Sequence, residues 1–201
     1  QQMFSDLNRY AIKPTKSINI LYNSREESSI IAKTVIENVD AFNGLVEKEK
    51  STISNRSKAL FTLSAICTAT NELLAGMEGS TQQKAELASR FWTVVSSHMA
   101  EWNDVRFGRM RSSEVRKDYI CSLSITLVAI GCAGNALIAS YPDCWEQRLR
   151  LLAEINGRKN NPMCENLVYN NGKVAANRST QRAMSAYMKD TLLETVGTDH
   201  G

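Results

Sequence analysis

The sequence carries little with which to do chemistry. Histidine occurs twice, as His98 and His200, and neither H-E-x-x-H nor H-x-x-E-H is present, which removes the common zinc-hydrolase signatures. There is no G-x-S-x-G elbow, Walker-type loop or G-x-G-x-x-G turn, so the usual nucleophile and nucleotide motifs are missing too. Acidic residues stand singly or beside bases, and no spacing brings two carboxylates together for acid–base work. The cysteines, Cys67, Cys121, Cys132, Cys144 and Cys164, are odd in number and irregularly spaced, with no C-x-x-C. That argues against a disulfide framework or a zinc ribbon; four of the five sit among apolar residues and read as small core fillers, in a reducing, cytoplasmic setting. No repeat or low-complexity run occurs, and strand patterns are scarce. The expectation is no metal, no cofactor, and no catalytic site carried by this chain.

What is present is helical periodicity. With 201 residues, 43% hydrophobic and 22% charged, the chain is long enough to bury a core without covalent staples. Ile30, Ile31, Val35, Ile36 and Val39 mark one helix, with Glu26 and Glu27 placed for its first turn. Leu63, Ile66, Thr70, Leu73 and Met77 mark another, with Ser57 as a candidate N-cap and Gly76 or Gly79 as its stop. A third starts near Ser80, carries Leu87, Phe91, Val94, Val95 and Met99, and ends before "NDVRFGRMR", with His98 as a structural residue near its end. "SSEV" offers another start at Ser112 or Ser113. "CWEQRLRLLAEI" reads as an amphipathic helix with Trp145, Leu149 and Leu152 inward and Arg148 and Arg150 outward. A final helix runs from about Ser179 to Leu193. "SINILYN" fits either a strand or a helix started at Ser17. The fold expected is mainly α, a bundle of about seven or eight helices, with room for one small β-hairpin near 166–175 around Asn171-Gly172.

Tyr119 to Tyr141 is uncharged and long enough to span a bilayer. Ser122, Ser124, Thr126 and Asn135 dilute it, and its flanking charges show no sidedness. A buried central helix is the better reading, with no membrane partner; Gly131 and Gly134 would then admit a neighbouring helix.

The net charge of +3 is too small to argue for nucleic acid by itself, but the cations cluster. "RFGRMRSSEVRK" holds Arg106, Arg109, Arg111, Arg116 and Lys117 against Glu114 alone. "NGRKNNP" holds Arg158 and Lys159 among amides. "NGKVAANRSTQR" holds Lys173, Arg178 and Arg182 among amides and hydroxyls. These side-chain types contact phosphates and base edges, and phosphate neutralisation requires cations that acids have not already claimed. Solvated loops with incidental charge are the bland alternative.

Four stretches carry a family resemblance. "QQMFSDLNRYAIKPTKSINILYN" resembles the segment that follows the DGQHR motif in DndB-type proteins of bacterial DNA phosphorothioation systems. "RSKALFTLSAICTAT", the Phe91-Trp92 helix with Trp102 after it, and "NGRKNNPMCENLVYNNGKVAANRSTQ" extend the match. Cys164 and Asn166 stand where Trp and Gly are common in the family. The resemblance implies a DNA-binding negative regulator of the operon for the sulfur-modification enzymes, with double-stranded DNA as partner and no sulfur insertion of its own. It implies that residues 1–23 form the junction to a ParB-like DGQHR domain absent from this chain, and 24–201 a C-terminal helical domain. Asn8 and Arg9 resemble part of the E-N-x-x-R-type helix of ParB-like folds, and Lys13 and Lys16 would join the DNA contacts beside that domain. A homo-oligomer, or contact with other DNA sulfur-modification proteins, is compatible with it. Two alternatives stay open: a nuclease or nucleotide hydrolase whose site lies in the N-terminal half, and an interaction module using Tyr119 to Tyr141 as its interface.

Overall fold

Hydroxyl and amide side chains cap four of the α-helices among the described residues. A computed structural model of the chain describes residues 14–23, 25–165, 167–170, 173–175 and 177–194, with the backbone alone at 170 and 173. Thr15 accepts from the Ile18 N–H and starts α1, Lys16–Tyr22, so "SINILYN" is helix. Glu26 precedes α2, Glu27–Asn38, with Glu27 in its first turn as expected. A short 3-10 turn, Asp40–Phe42, and strand β1, Val46–Glu47, follow. Strand β2, Phe61–Thr62, pairs parallel with β1 through Val46–Phe61 and Glu47–Thr62, a contact the sequence did not suggest. Helix α3, Leu63–Leu73, is capped by Thr62 and not by Ser57, because β2 runs up to Thr62 and the Ser57 hydroxyl is used inside its own loop by the Ala59 N–H.

Helix α4, Thr81–Ser97, opens with the reciprocal capping box of Ser80 and Gln83, two orphan donors satisfied at once. The expected long run to Met99 breaks at His98: the Asn103 amide donates to the Ser96 and Met99 carbonyls and ties off the helix end. A separate helix, α5, Ala100–Arg106, therefore runs through "NDVR" instead of stopping before it. Next come α6, Ser112–Asp118, and α7, Ser124–Ser140. Only Trp145–Arg148 of "CWEQRLRLLAEI" is α-helix, α8, continued by a 3-10 turn over Leu149–Glu154. Trp145, Leu149 and Leu152 are buried as expected and Arg150 is exposed. Arg148 is not turned outward: its Nε donates to the Leu192 carbonyl at 2.9 Å and its guanidinium lies over the Tyr141 ring. Strands β3, Tyr169–Asn170, and β4, Lys173–Val174, form an antiparallel pair at the expected hairpin. Asn177 caps α9, Arg178–Leu193. The described residues thus hold nine α-helices, slightly more than expected, because α5 and the short α8 are separate pieces.

Helix α7 is the centre of the core, packed between α3 on one side and α9 on the other. Ile125, Leu127, Ala129, Ile130, Ala133 and Leu137 are all buried, so its apolar surface is core and not a free interface. A Cβ built on Gly131 would lie 2.1 Å from the Ala69 carbonyl oxygen, and one on Gly134 2.3 Å from the Phe91 ring. The two glycines therefore let α3 and α4 approach the α7 backbone directly. Among the described residues no helix is long and apolar enough to cross a membrane. Beside this layer, Phe42, Phe61, Trp92 and Trp102 form an aromatic cluster in which Phe61 meets Phe42 and Trp102 edge-on and Phe42 lies tilted against both indoles. The buried Trp92 indole donates to Thr70 Oγ1 at 3.0 Å, which satisfies its one polar atom.

Candidate nucleic-acid interface

The basic stretch that follows α5 is arranged by hydrogen bonds from its own backbone. At the helix end the Phe107 N–H donates to the Asn103 carbonyl, and Gly108, at φ +71°, donates to Val105. The N–H groups of Arg109 and Met110 both donate to the Asp104 carbonyl. Glycine fits this left-handed position without strain, and the chain turns sharply into Arg111 and α6.

Helix α6 organises the cations around it. Arg111 precedes its first turn, exposed, with no partner for its guanidinium among the described residues. Ser112 Oγ donates to the Lys58 carbonyl at 2.5 Å. Arg116 points inward to the segment before β2. Its Nη1 donates to the carbonyls of Ser57, at 3.1 Å, and Ala59, and its Nη2 to those of Ser54 and Asn55, at 3.0 and 3.1 Å. Partial burial lowers the Arg116 pKa, but the four carbonyls keep the cation in place. At the far end of α6, Lys159 Nζ donates to the Arg116 carbonyl at 2.6 Å and its N–H to that of Asp118. Burial lowers the Lys159 pKa, with Asp118 opposing. Arg158 lies over the Tyr119 ring, 4.9 Å from its centre.

The predicted contacts therefore divide. Arg106 pairs with Asp40 at 2.6 Å, an acid that folding brings from far along the chain, and Arg109 with Asp104 at 2.7 Å, five residues before it. Lys159 and Arg116 are spent on structure. Arg111 and Arg158 remain exposed beside α6. On the opposite flank Arg178 and Arg182 are exposed on the first turns of α9, one turn apart and without acidic partners among the described residues. Lys16 is exposed on α1 and donates to Thr68 Oγ1 at 2.8 Å. Asn8, Arg9 and Lys13, and the side chain of Lys173, lie outside the described residues.

Two cations were missed from the sequence: Arg56 and Lys58, both exposed on the segment clamped by Arg116. A signal existed, since no acid occurs from Ser51 to Asn71, but the segment reads as the approach to a helix. Arg56, Lys58 and Arg111, with Ser112, Ser113 and Asn55, line one cleft of about 450 Å³. A second cleft of about 370 Å³ shares Asn55 and adds Arg116, Ser51, Thr62, Ser122 and Ser124. A third, of about 270 Å³, shares Ser51, Thr62 and Ser124 and reaches Lys16, Thr68 and Gln181. The shared residues place the three clefts side by side, in a line from Arg111 to the start of α9 that is called the furrow below. Among the described residues lining it there is no aspartate or glutamate. Such a surface offers N–H and O–H donors and positive charge to an anion; one acid, Glu114, stands beside it and accepts the Arg111 N–H at 2.9 Å. Among the described residues no cluster of three or more His, Cys, Asp or Glu could hold a metal ion.

No curated protein and no solved structure matches the chain. The family model for DndB, described as DNA-sulfur modification-associated, matches residues 1–194, nearly the whole length. The acid-free furrow therefore sits in a chain that belongs to the DndB family of DNA-sulfur modification-associated proteins.

Proposed function

We propose that this chain is a DNA-binding negative regulator of a DNA phosphorothioate-modification operon, and that it grips the duplex backbone along the furrow. The observation that carries the reading is a set of three adjoining clefts lined by hydroxyls and amides without a carboxylate, with the exposed cations Arg56, Lys58 and Arg111 in the first and Lys16 in the third. Lys16, Arg56, Lys58 and Arg111 meet phosphates within it, and Arg178 and Arg182 extend the contact along α9. Ser112, Ser113, Asn55 and Gln181 add neutral donors. Arg158 and Lys173 are further candidate contacts outside the three clefts, whereas Arg106 and Arg109 reach phosphate only by leaving their carboxylates. In this reading residues 1–23, with Asn8, Arg9 and Lys13, join a ParB-like DGQHR domain to the helical domain of residues 24–201. An Asp-Gly-Gln-His-Arg sequence encoded upstream of Gln1 supports that junction, and its absence there counts against it.

Six neutralised phosphates give a log–log dependence of affinity on salt with a slope of about −5. Binding of the DNA upstream of the chain's own gene, measured across a salt series, tests the reading. A slope near that value supports phosphate gripping; no binding, or binding indifferent to salt, refutes it.

A further inference from the structure

Phe107 is out of place for a phenylalanine. Phe42, Phe61 and Phe91 are at most 1% exposed, whereas Phe107 is 59% exposed. Leaving such a ring in water forgoes the burial that drives the rest of the core together. It is also rigidly displayed. It sits at the end of α5, where the N–H groups of residues 107 to 110 all return to carbonyls of the helix's last turns. Gly108, next to it, lines the cleft that holds Arg56, Lys58 and Arg111, so Phe107 is one residue away from the lining of the furrow. Two guanidinium groups lie against it, those of Arg106 and Arg109, 5.3 and 5.0 Å from the ring centre. Flat, polarisable groups therefore already fit on this ring. Both arginines are held by carboxylates, Arg106 by Asp40 and Arg109 by Asp104, at 2.6 and 2.7 Å.

We infer that Phe107 is a base-stacking wedge. On DNA the ring leaves its arginines, which stay on Asp40 and Asp104, and enters the base stack of the bound duplex. Apolar side chains inserted between base steps unstack and kink a duplex in this way, and a ring that is preorganised at a helix end loses little freedom on insertion. The inference rests on the DNA-binding reading above and deepens it. It assigns Phe107 to distortion and sequence preference, and leaves phosphate gripping to the cations.

The test uses the full chain and short duplexes that tile the DNA upstream of its own gene, each carrying a single 2-aminopurine. That base brightens when it is unstacked. The wild type is expected to raise the fluorescence several-fold at one position. Phe107→Ala should weaken binding about tenfold, from the loss of one stacking contact, abolish the fluorescence rise, and leave the salt slope unchanged. Phe107→Trp should retain both affinity and rise. Since the ring is exposed, Phe107→Ala should melt with the wild type, which separates the effect from misfolding. Salt-dependent binding with no fluorescence rise, or a Phe107→Ala variant equal to the wild type, overturns the wedge and leaves the DNA reading intact. No duplex binding by the wild type overturns both.

Discussion

Replacing Arg116 by alanine should disable the furrow without touching a phosphate contact. The guanidinium holds the carbonyls of Ser54, Asn55, Ser57 and Ala59, and the segment so held carries Arg56 and Lys58. Not all four bonds count equally. Ser54 and Asn55 are exposed and regain water, whereas Ala59 is 6% exposed. Its carbonyl would be left dry, at about 1–3 kcal/mol for one buried unsatisfied acceptor. With the lost packing of the arginine stem, the total is about 2–3 kcal/mol, which for a chain of this size lowers the melting midpoint by about 4–12 °C. Arg116→Lys should recover less than half, because an ammonium cannot reproduce the planar fork that reaches four carbonyls. Thermal and guanidinium denaturation measure the stability term, and fluorescence anisotropy with labelled duplex measures the functional one. Binding should weaken while its salt slope changes little, since the furrow cations are loosened and not removed. A variant within about 0.5 kcal/mol of wild type, the range of ordinary surface substitutions, would refute the clamp.

Gly131→Ala should destabilise although alanine is the better helix former by about 1 kcal/mol, because its Cβ meets the Ala69 carbonyl oxygen at 2.1 Å and backbone cannot rotate away. Overpacking of this kind costs about 1–3 kcal/mol or more, and equal or raised stability in denaturant would show that α3 and α7 are not in backbone contact. Burial raises the pKa of Cys121, and of Cys67 and Cys164, above the ordinary thiol value of 9.0. A raised folded pKa gives stability that is whole below about pH 9 and is lost as pH climbs beyond it, since the unfolded thiols ionise first. Melting midpoints should therefore fall across the alkaline range, less steeply in Cys121→Ala than in wild type at matched reference stability, and a flat profile contradicts the assignment.

The helical layer was legible because its signals are local. The stripe through Leu63, Ile66 and Leu73, the Ser80 cap and the Gly131/Gly134 pair each follow from spacing or from the absence of a Cβ. The break at His98 was not, since it depends on one amide, that of Asn103, reaching back to two carbonyls. The clustering of Arg106, Arg109 and Arg111 was legible too, but their availability was not: Asp40, which binds Arg106, lies 66 residues away in the chain. Arg56 and Lys58 escaped notice for the converse reason. Their placement beside Arg111 is made by Arg116 and Ser112, through bonds to backbone carbonyls that any residue in the segment could provide. Sequence reveals where charge is dense; which charges stay free is decided by tertiary partners.

The central claim is that free cations along an acid-free furrow hold DNA. Its most direct test is the salt dependence of duplex binding by the wild type and by the triple variant Arg56→Ala, Lys58→Ala, Arg111→Ala, with melting midpoints measured alongside. These three side chains are exposed and carry no structural hydrogen bond among the described residues, so the variant should fold normally. The account predicts that the slope becomes shallower by about 2.7, 0.9 for each phosphate contact removed, and that affinity at low salt falls with it. An unchanged slope in a folded triple variant would contradict the account.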